Sequence, residues 1–277
     1  MLTSQDIRLR DGRSLRAHDS APGEGGAFTL LWHHGSPQTG APLEPLLRAA
    51  GDRRIRLISY GRPSYGGSLP RPGRNVASAA SDVEQLADAL GMDRFAVMGA
   101  SGGGPHALAC AALLPERVSG AACLAGLAPF GAEGLDFFDG MGGEGASLRA
   151  AVSGREARER HEATEEFDPD SFNERDYAAL ADGWSALSRD VGLAAAGGTD
   201  GLIDDDLAFV APWGFDVSAI TAPTLLVQGD EDRVVPPAHA LWLLRCRDSE
   251  LWMRQGDGHI AVLDACPAAM DWLLARV

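Results

Sequence analysis

The chain predicts an α/β fold: a mainly parallel, doubly wound sheet with a block of helices inserted after the sixth strand. Three observations carry this. Short aliphatic and β-branched runs alternate with segments of helical periodicity, as in strand–helix–strand units. The alternation stops after Gly126 and resumes at Thr224. A length of 277 residues, 45% hydrophobic, suffices for one large core plus an insertion.

Residues 7–9 and 14–17 flank Asp11-Gly12 and predict a hairpin. Residues 28–33 and 55–60 predict buried strands. Residues 76–90 have helical spacing and stop at Gly91. A strand over 94–100, a helix over 105–114 and a strand over 118–124 follow. Residues 130–212 predict no strand. They open glycine-rich and continue as charged helical pattern over 155–166, 174–189 and 204–209, too long a stretch for a loop. A strand at 224–227, a helix at 238–244, a strand at 250–253 and a helix at 260–275 complete the chain. The division predicted is a core of residues 1–127 and 217–277 with a helical cap of residues 128–216.

A net charge of −15 argues against nucleic acid and anionic membrane surfaces as partners. All 24 basic residues are arginine, which excludes Schiff-base lysine chemistry and the G-x-x-x-x-G-K-[ST] phosphate loop. Cys110, Cys123, Cys246 and Cys266 form no C-x-x-C pair and read as free buried thiols of a reducing compartment. No basic leader precedes an apolar run, and no segment reads as a transmembrane helix, so a cytoplasmic protein is expected.

Gly99-Ala100-Ser101-Gly102-Gly103 lies between a predicted strand and a predicted helix. A serine at so tight a turn holds a strained backbone, and a Cβ at position 99 or 103 would strike neighbouring main chain. The turn lifts Oγ clear of the sheet, at a helix N-terminus that favours developing negative charge.

Three further segments end predicted strands: His33-His34-Gly35-Ser36-Pro37, Gln228-Gly229-Asp230-Glu231-Asp232-Arg233 and Gly256-Asp257-Gly258-His259. Open α/β sheets place their sites at such carboxyl ends. A carboxylate there can orient a histidine. Asp232, three residues past Gly229, is favoured over Asp230 and Glu231, which read as turn caps or solvent-facing. Of the seven histidines, His18 and His239 read as exposed and His106 as structural. His161 stands in His-Glu-Ala-Thr-Glu, which is not the zinc motif H-E-x-x-H, and no other spacing suggests a metal. Only His259 follows the final strand, next to a glycine turn.

This set, in the order Ser…Asp…His, resembles the α/β-hydrolase fold family, specifically smaller capped bacterial members. Gly61-Arg62-Pro63-Ser64-Tyr65-Gly66-Gly67-Ser68 is similar to the family's loop after the fourth strand, with Gly61 where Asp is common and Ser64 where Gly is common. That loop reads as structural, so the two departures are expected to cost little. Trp213-Gly214-Phe215-Asp216 resembles the return from cap to core.

The resemblance implies Ser101 as nucleophile, His259 as base and Asp232 as its orienting acid. It implies an oxyanion hole from the Gly102 and Ser36 N–H groups. Serine at position 101, where epoxide- and halide-hydrolysing members carry aspartate, argues against both of those activities. His34-Gly35-Ser36-Pro37 replaces the lipase-type His-Gly-Gly-Gly, so bulky tertiary esters are not suggested. Gly102 is a small neighbour to the serine, expected to widen the acyl side of the pocket. The expected protein is a cofactor-free serine hydrolase acting on a small ester, thioester or lactone. The rival readings are a proline-iminopeptidase-like enzyme, with Glu165 or Glu166 binding an amine, and a non-enzymatic small-molecule receptor. Substrate identity and oligomeric state are not legible.

Overall fold

The computed structural model describes residues 2–21 and 28–276. Eight strands, β1 (Thr3–Arg8), β2 (Ser14–Asp19), β3 (Thr29–His33), β4 (Arg56–Tyr60), β5 (Phe95–Ala100), β6 (Val118–Leu124), β7 (Thr224–Gly229) and β8 (Ser249–Arg254), form one sheet. Their spatial order is β1-β2-β4-β3-β5-β6-β7-β8. The β1–β2 and β2–β4 pairs are antiparallel, and β4-β3-β5-β6-β7-β8 run parallel.

Strands β3 to β7 are buried along their whole length because helices cover both faces. Adjacent residues therefore enter opposite cores. Leu31, Val97 and Leu226 pack on one side, toward α2 (Ser78–Leu90), α3 (Gly103–Leu113) and α9 (Pro237–Leu243). Leu30, Met98 and Leu225 pack on the other, toward α1 (Glu44–Asp52) and α10 (Cys266–Leu274). Each fully buried leucine contributes about 1.5–3 kcal/mol. The four cysteines are free and buried in these layers.

Between β6 and β7 lie five helices: α4 (Gly143–Val152), α5 (Arg155–Glu162), α6 (Glu174–Ala181), α7 (Ser185–Ala196) and α8 (Asp200–Val210). No strand forms among residues 130–212, as predicted. Among the described residues no helix is long and apolar enough to cross a membrane.

Several elements differ from their predicted form. α1 has no predicted counterpart; its Pro42-Leu43-Glu44-Pro45 opening resembles a loop, although proline in a first turn is a helix-start signal. α4 is hidden by Gly142, Gly143 and Gly145, whose helix propensity is low. The pattern over 174–189 is two helices. The chain leaves helical geometry at Asp182 (φ −126°, ψ −102°), and Trp184 turns its ring into the core beneath. The pattern over 260–275 also splits. Residues Ala261–Ala265 are a 3-10 stretch, and α10 begins at Cys266 with Pro267 in its first turn, where the missing N–H is harmless.

Chain direction across the sheet reverses between β3, which leads to β4, and β5, which leads to β6. Loops leaving the carboxyl ends of β3 and β5 diverge there and open a crevice. Ser36 follows β3 and Ser101 follows β5.

Candidate active site

Ser101 occupies a left-handed backbone conformation, φ 52°, that non-glycine residues rarely adopt. The turn around it is as tight as the sequence predicts. A Cβ on Gly99 would lie 2.3 Å from the Gly103 carbonyl oxygen, and one on Gly103 would lie 2.1 Å from that of His33. The Ser101 N–H donates to the Leu124 carbonyl (2.9 Å), and its own carbonyl accepts from the Gly104 N–H (2.9 Å). The strain is thus held between β6 and the first turn of α3.

The Ser101 Oγ–H donates to His259 Nε2 at 2.9 Å, and His259 Nδ1–H donates to Asp232 Oδ2 at 2.8 Å. The loops after β7 and β8 cross to permit this: a Cβ on Gly229 would lie 2.3 Å from the Asp257 carbonyl oxygen. Asp232 is buried and fully engaged. Oδ1 accepts from the Val234 and Val235 N–H groups at 2.9 Å each, and Oδ2 also accepts from Gln228 Nε2 at 3.1 Å. Asp230, the competing acid, is exposed and accepts from the Gly256 N–H (2.6 Å); Glu231 is exposed and accepts from Asn173 Nδ2 (3.0 Å). Both cap or tether the turn.

Burial opposes a charge on His259, but Asp232, through charge and hydrogen bond, together with Asp176 and Glu144, outweighs it. The imidazole is held above its ordinary value.

Ser36 and Gly102 line the same cavity as Ser101 and His259. No described residue accepts either main-chain N–H. Gly102 does not widen the pocket as expected: a Cβ there would lie 2.4 Å from Ser36 Oγ and 3.0 Å from Phe209 Cζ. The space beside it is already filled.

The loop 61–68 does more than its expected structural role. Arg62, almost fully buried, donates through Nη1 to the His34 carbonyl and through Nη2 to Ser36 Oγ (2.9 Å) and the Gly35 carbonyl (3.3 Å). It is paired with Asp205 of α8 at 2.6 Å. Asp205 also accepts from Ser36 Oγ (2.5 Å) and Tyr65 Oη (2.9 Å), and pairs with Arg74 (2.6 Å). Burial would raise the Asp205 carboxyl, but Arg62 and Arg74 hold it well below the usual range. Asp190 of α7 binds the same region, accepting from Thr39 N–H (3.1 Å) and Oγ1 (2.6 Å). These groups have no counterpart in the predicted site. A signal existed: Asp204-Asp205-Asp206 within an otherwise apolar helix demands buried cations.

Two of the histidine assignments need correction. His239 is buried, not exposed. Its Nδ1 accepts from the Ala128 N–H (3.1 Å) and its Nε2–H donates to the Phe137 carbonyl (3.0 Å), and burial pushes it down to about 4. Its position in the first turn of α9, behind two prolines, resembled surface. His18 is half-buried and bonds Ser4 Oγ at 2.8 Å. His106 is structural, bonded to the Gly102 carbonyl (2.7 Å), and burial pushes it down to about 3.

The cavity above Ser101 holds about 550 Å³. Its walls are mostly apolar: Trp32, Leu43 and Leu263 from the sheet side, Phe167, Phe172, Trp184, Leu187 and Val191 from the inserted helices, and Phe209. Glu144, Glu165, Glu166 and Asp168 also face it, and no arginine does among the described residues. Glu165 is committed to Ser147 Oγ (2.6 Å). Among the described residues no three His, Cys, Asp or Glu side chains come together in a way that could hold a metal ion.

Residues 29–265 match the model of the alpha/beta hydrolase fold family, and the chain belongs to that family. It is 26% identical over 262 residues to a putative non-heme chloroperoxidase from Synechocystis, covering 90% of this chain and 87% of that one. It is 28% identical over 275 residues to a 2-hydroxy-6-oxononadienedioate/2-hydroxy-6-oxononatrienedioate hydrolase from Klebsiella pneumoniae, covering 94% and 90%. Among solved structures, the enol-lactonase from Burkholderia xenovorans LB400 superposes with a TM-score of 0.75 at 18% identity, over 98% of this chain and all of that one. The family and the name of the Klebsiella relative support hydrolase activity in general, and the enol-lactonase shows the shared fold.

Proposed function

We propose that the protein is a serine hydrolase that cleaves small, largely apolar esters, thioesters or lactones through an acyl-enzyme. The observation that carries this reading is the hydrogen-bonded chain Ser101–His259–Asp232 at the floor of an apolar cavity. Ser101 Oγ attacks the carbonyl carbon while its proton passes to His259 Nε2. Asp232 holds the imidazole in the tautomer that can accept, and stabilises the imidazolium. The Gly102 and Ser36 N–H groups receive the oxyanion. Collapse expels the alcohol or thiol, which takes the proton from His259. Water then attacks the acyl-enzyme, giving its proton to His259; the bond from the acyl carbon to Oγ breaks, Oγ takes that proton back, and the carboxylic acid leaves.

The inserted helices act as the cap in this reading, supplying the apolar wall and keeping water out. The wall's chemistry narrows the substrate class. With no arginine among the described residues that line it, and with Glu166 and Asp168 there, the cavity offers no cation to a dicarboxylate like that in the name of the Klebsiella relative. Neutral or amine-bearing esters fit it. The net charge of −15 supports a small-molecule substrate over nucleic acid or an anionic membrane.

A small fluorophosphonate tests the reading, followed by peptide mass spectrometry and by turnover of p-nitrophenyl acetate and butyrate. One adduct at Ser101 and sustained turnover are expected. A folded protein that resists the reagent, or carries the adduct elsewhere, overturns the nucleophile. A single burst without turnover favours the receptor reading.

A further inference from the structure

We propose that two buried carboxylates of the inserted helices, Asp176 and Asp205, are positioning residues for the reaction: Asp176 fixes the loop that carries His259, and Asp205 fixes the loop that carries Ser36. The inference rests on the serine-hydrolase reading and extends it from the sheet loops to the cap.

Asp176 is fully buried on α6. Its Oδ1 accepts from the Ile260 and Ala261 N–H groups at 2.8 Å each, and its Oδ2 accepts from the His259 N–H at 3.2 Å. A fourth N–H, that of Asn173, donates to Oδ2 at 3.2 Å and closes a capping box. One carboxylate thus gathers three successive main-chain donors of the histidine loop. Gly258 records how close it lies: a Cβ there would be 2.0 Å from Asp176 Oδ2. A carboxylate bound by several N–H groups is rigid, because each lost bond would leave a buried donor unpaired.

Asp205 does the equivalent for the loop after β3. Its bond to Ser36 Oγ and its pair with Arg62, which spans the His34 and Gly35 carbonyls, fix the main chain of a loop that lines the same cavity as Ser101 and to which the proposed function assigns an oxyanion donor. Neither aspartate touches Ser101, and neither lies on an element of the sheet. Both loops would be less well placed without the helices that bring these carboxylates to them, and misplacing a catalytic group by about 1 Å can cost about 10²-fold in rate.

The two arms predict different signatures, so variants separate positioning from general stability. Active sites are counted by fluorophosphonate, and rates are expressed per labelled site. For the oxyanion arm, Ser36→Ala keeps the main-chain N–H and removes only its anchor, and Asp205→Asn removes the charge. Both should lower kcat by about ten- to a hundredfold with KM within threefold. Both should also weaken a phenylboronic acid, whose tetrahedral adduct needs the anion site, by a similar factor. For the histidine arm, Asp176→Asn should lower kcat by a like amount, and its distinguishing signature lies in the pH profile.

Asp176→Asn should also move the acid limb of kcat/KM to lower pH. The groups facing His259 are Asp232 from the loop after β7, Asp176 from α6 and Glu144 from α4, and removing one negative neighbour makes the imidazolium less stable. If Asp176→Asn does not fold, Gly258→Ala displaces the same carboxylate sterically and should reproduce the fall in kcat.

Variants with fewer labelled sites but unchanged kcat per site, acid limb and boronate affinity would overturn the proposal while leaving the hydrolase reading intact. A wild-type protein that the fluorophosphonate never labels would overturn both.

Discussion

The sheet and the inserted helices are stabilised by different physics. The sheet layers are aliphatic: Leu30, Leu31, Val97, Met98, Leu225 and Leu226 are all buried, with helices on both sides. The sheet half buries charge too, as in Arg56 with Asp19 at 2.7 Å near its antiparallel edge, but the inserted helices bury it in the middle of a helix. In α8, Asp204 pairs with Arg155, Asp205 with Arg62 and Arg74, and Asp206 with Arg158 at 2.5 Å. Apolar packing is non-directional and tolerates conservative change. Buried ion pairs are directional, and each partner becomes a liability once the other is gone. The first region can therefore build a rigid platform, and the second can place carboxylates at chosen points on it.

The sharpest test of this division is chemical. Asp232 belongs to a sheet loop and accepts from His259 Nδ1; Asp230, two residues earlier, accepts from the Gly256 N–H of the turn. Asp232→Asn should lower kcat by about 10⁴, as the equivalent change does in serine proteases, while Asp230→Asn stays within a few-fold. Steady-state kinetics on folded variants decides, and a reversed ranking would reassign the acid.

Arg158→Met should cost up to about 3–5 kcal/mol, because it removes the cation shared by Asp206, Glu162 and Glu165; burial and Glu144 already push the Asp206 carboxyl up, so its taking a proton offsets part of the loss. The double change Arg158→Met with Asp206→Leu should recover a measurable part of that loss in chemical denaturation. No recovery would mean that the insertion depends on the pair itself and not on the absence of a lone charge.

The pH profile draws on both regions. In the proposed mechanism His259 must be neutral to accept the proton, and its raised value predicts that kcat/KM falls tenfold per pH unit below it, with the limb above the ordinary histidine value near 6.5. The stability contribution has the opposite sense. It is fully present below the unfolded value and is lost as pH rises through the folded one. A limb at or below 6.5 would show that burial wins over the three acids.

In the sheet, Ile58→Val should cost only about 0.5–1.5 kcal/mol, the ordinary price of one methylene in a packed core. A larger loss would place more weight on shape complementarity there than the comparison allows. The exposed pair of Asp6 and Arg16, 2.6 Å apart on the edge hairpin, should matter least. Asp6→Asn should leave the denaturation midpoint unchanged at physiological salt.

The same contrast explains what the sequence revealed. The central strands β3 to β7 were legible because burial on both faces writes itself as a mostly apolar run, as in Thr224-Leu225-Leu226-Val227. Ser101 and Asp232 follow such runs, His259 follows the half-exposed β8, and all three, which the geometry brings together, stand beside a glycine turn. Helix limits in the insertion were not. Charged residues there alternate with apolar ones, but Arg158, Asp205 and Asp206 face inward, so polarity no longer marks the outer face. Asp176 was invisible for a related reason. Apart from the Asn173 N–H that caps its own helix, its partners are main-chain N–H groups 83 to 85 positions away, and such donors exist at every residue.

The four cysteines add a practical consequence. Cys110 lies on α3, Cys123 on β6, Cys246 in the turn before β8 and Cys266 at the start of α10, so all belong to the sheet half. Burial pushes Cys123 up to about 12 and Cys246 up to about 11, and raises the other two further, which keeps all four as unreactive thiols. An aromatic disulfide reagent should therefore stay colourless with the native protein. It would also stay silent if the inserted helices alone came apart. Colour would develop only when the platform itself opens, so its rate is a clock for one half of the molecule, read without any added label.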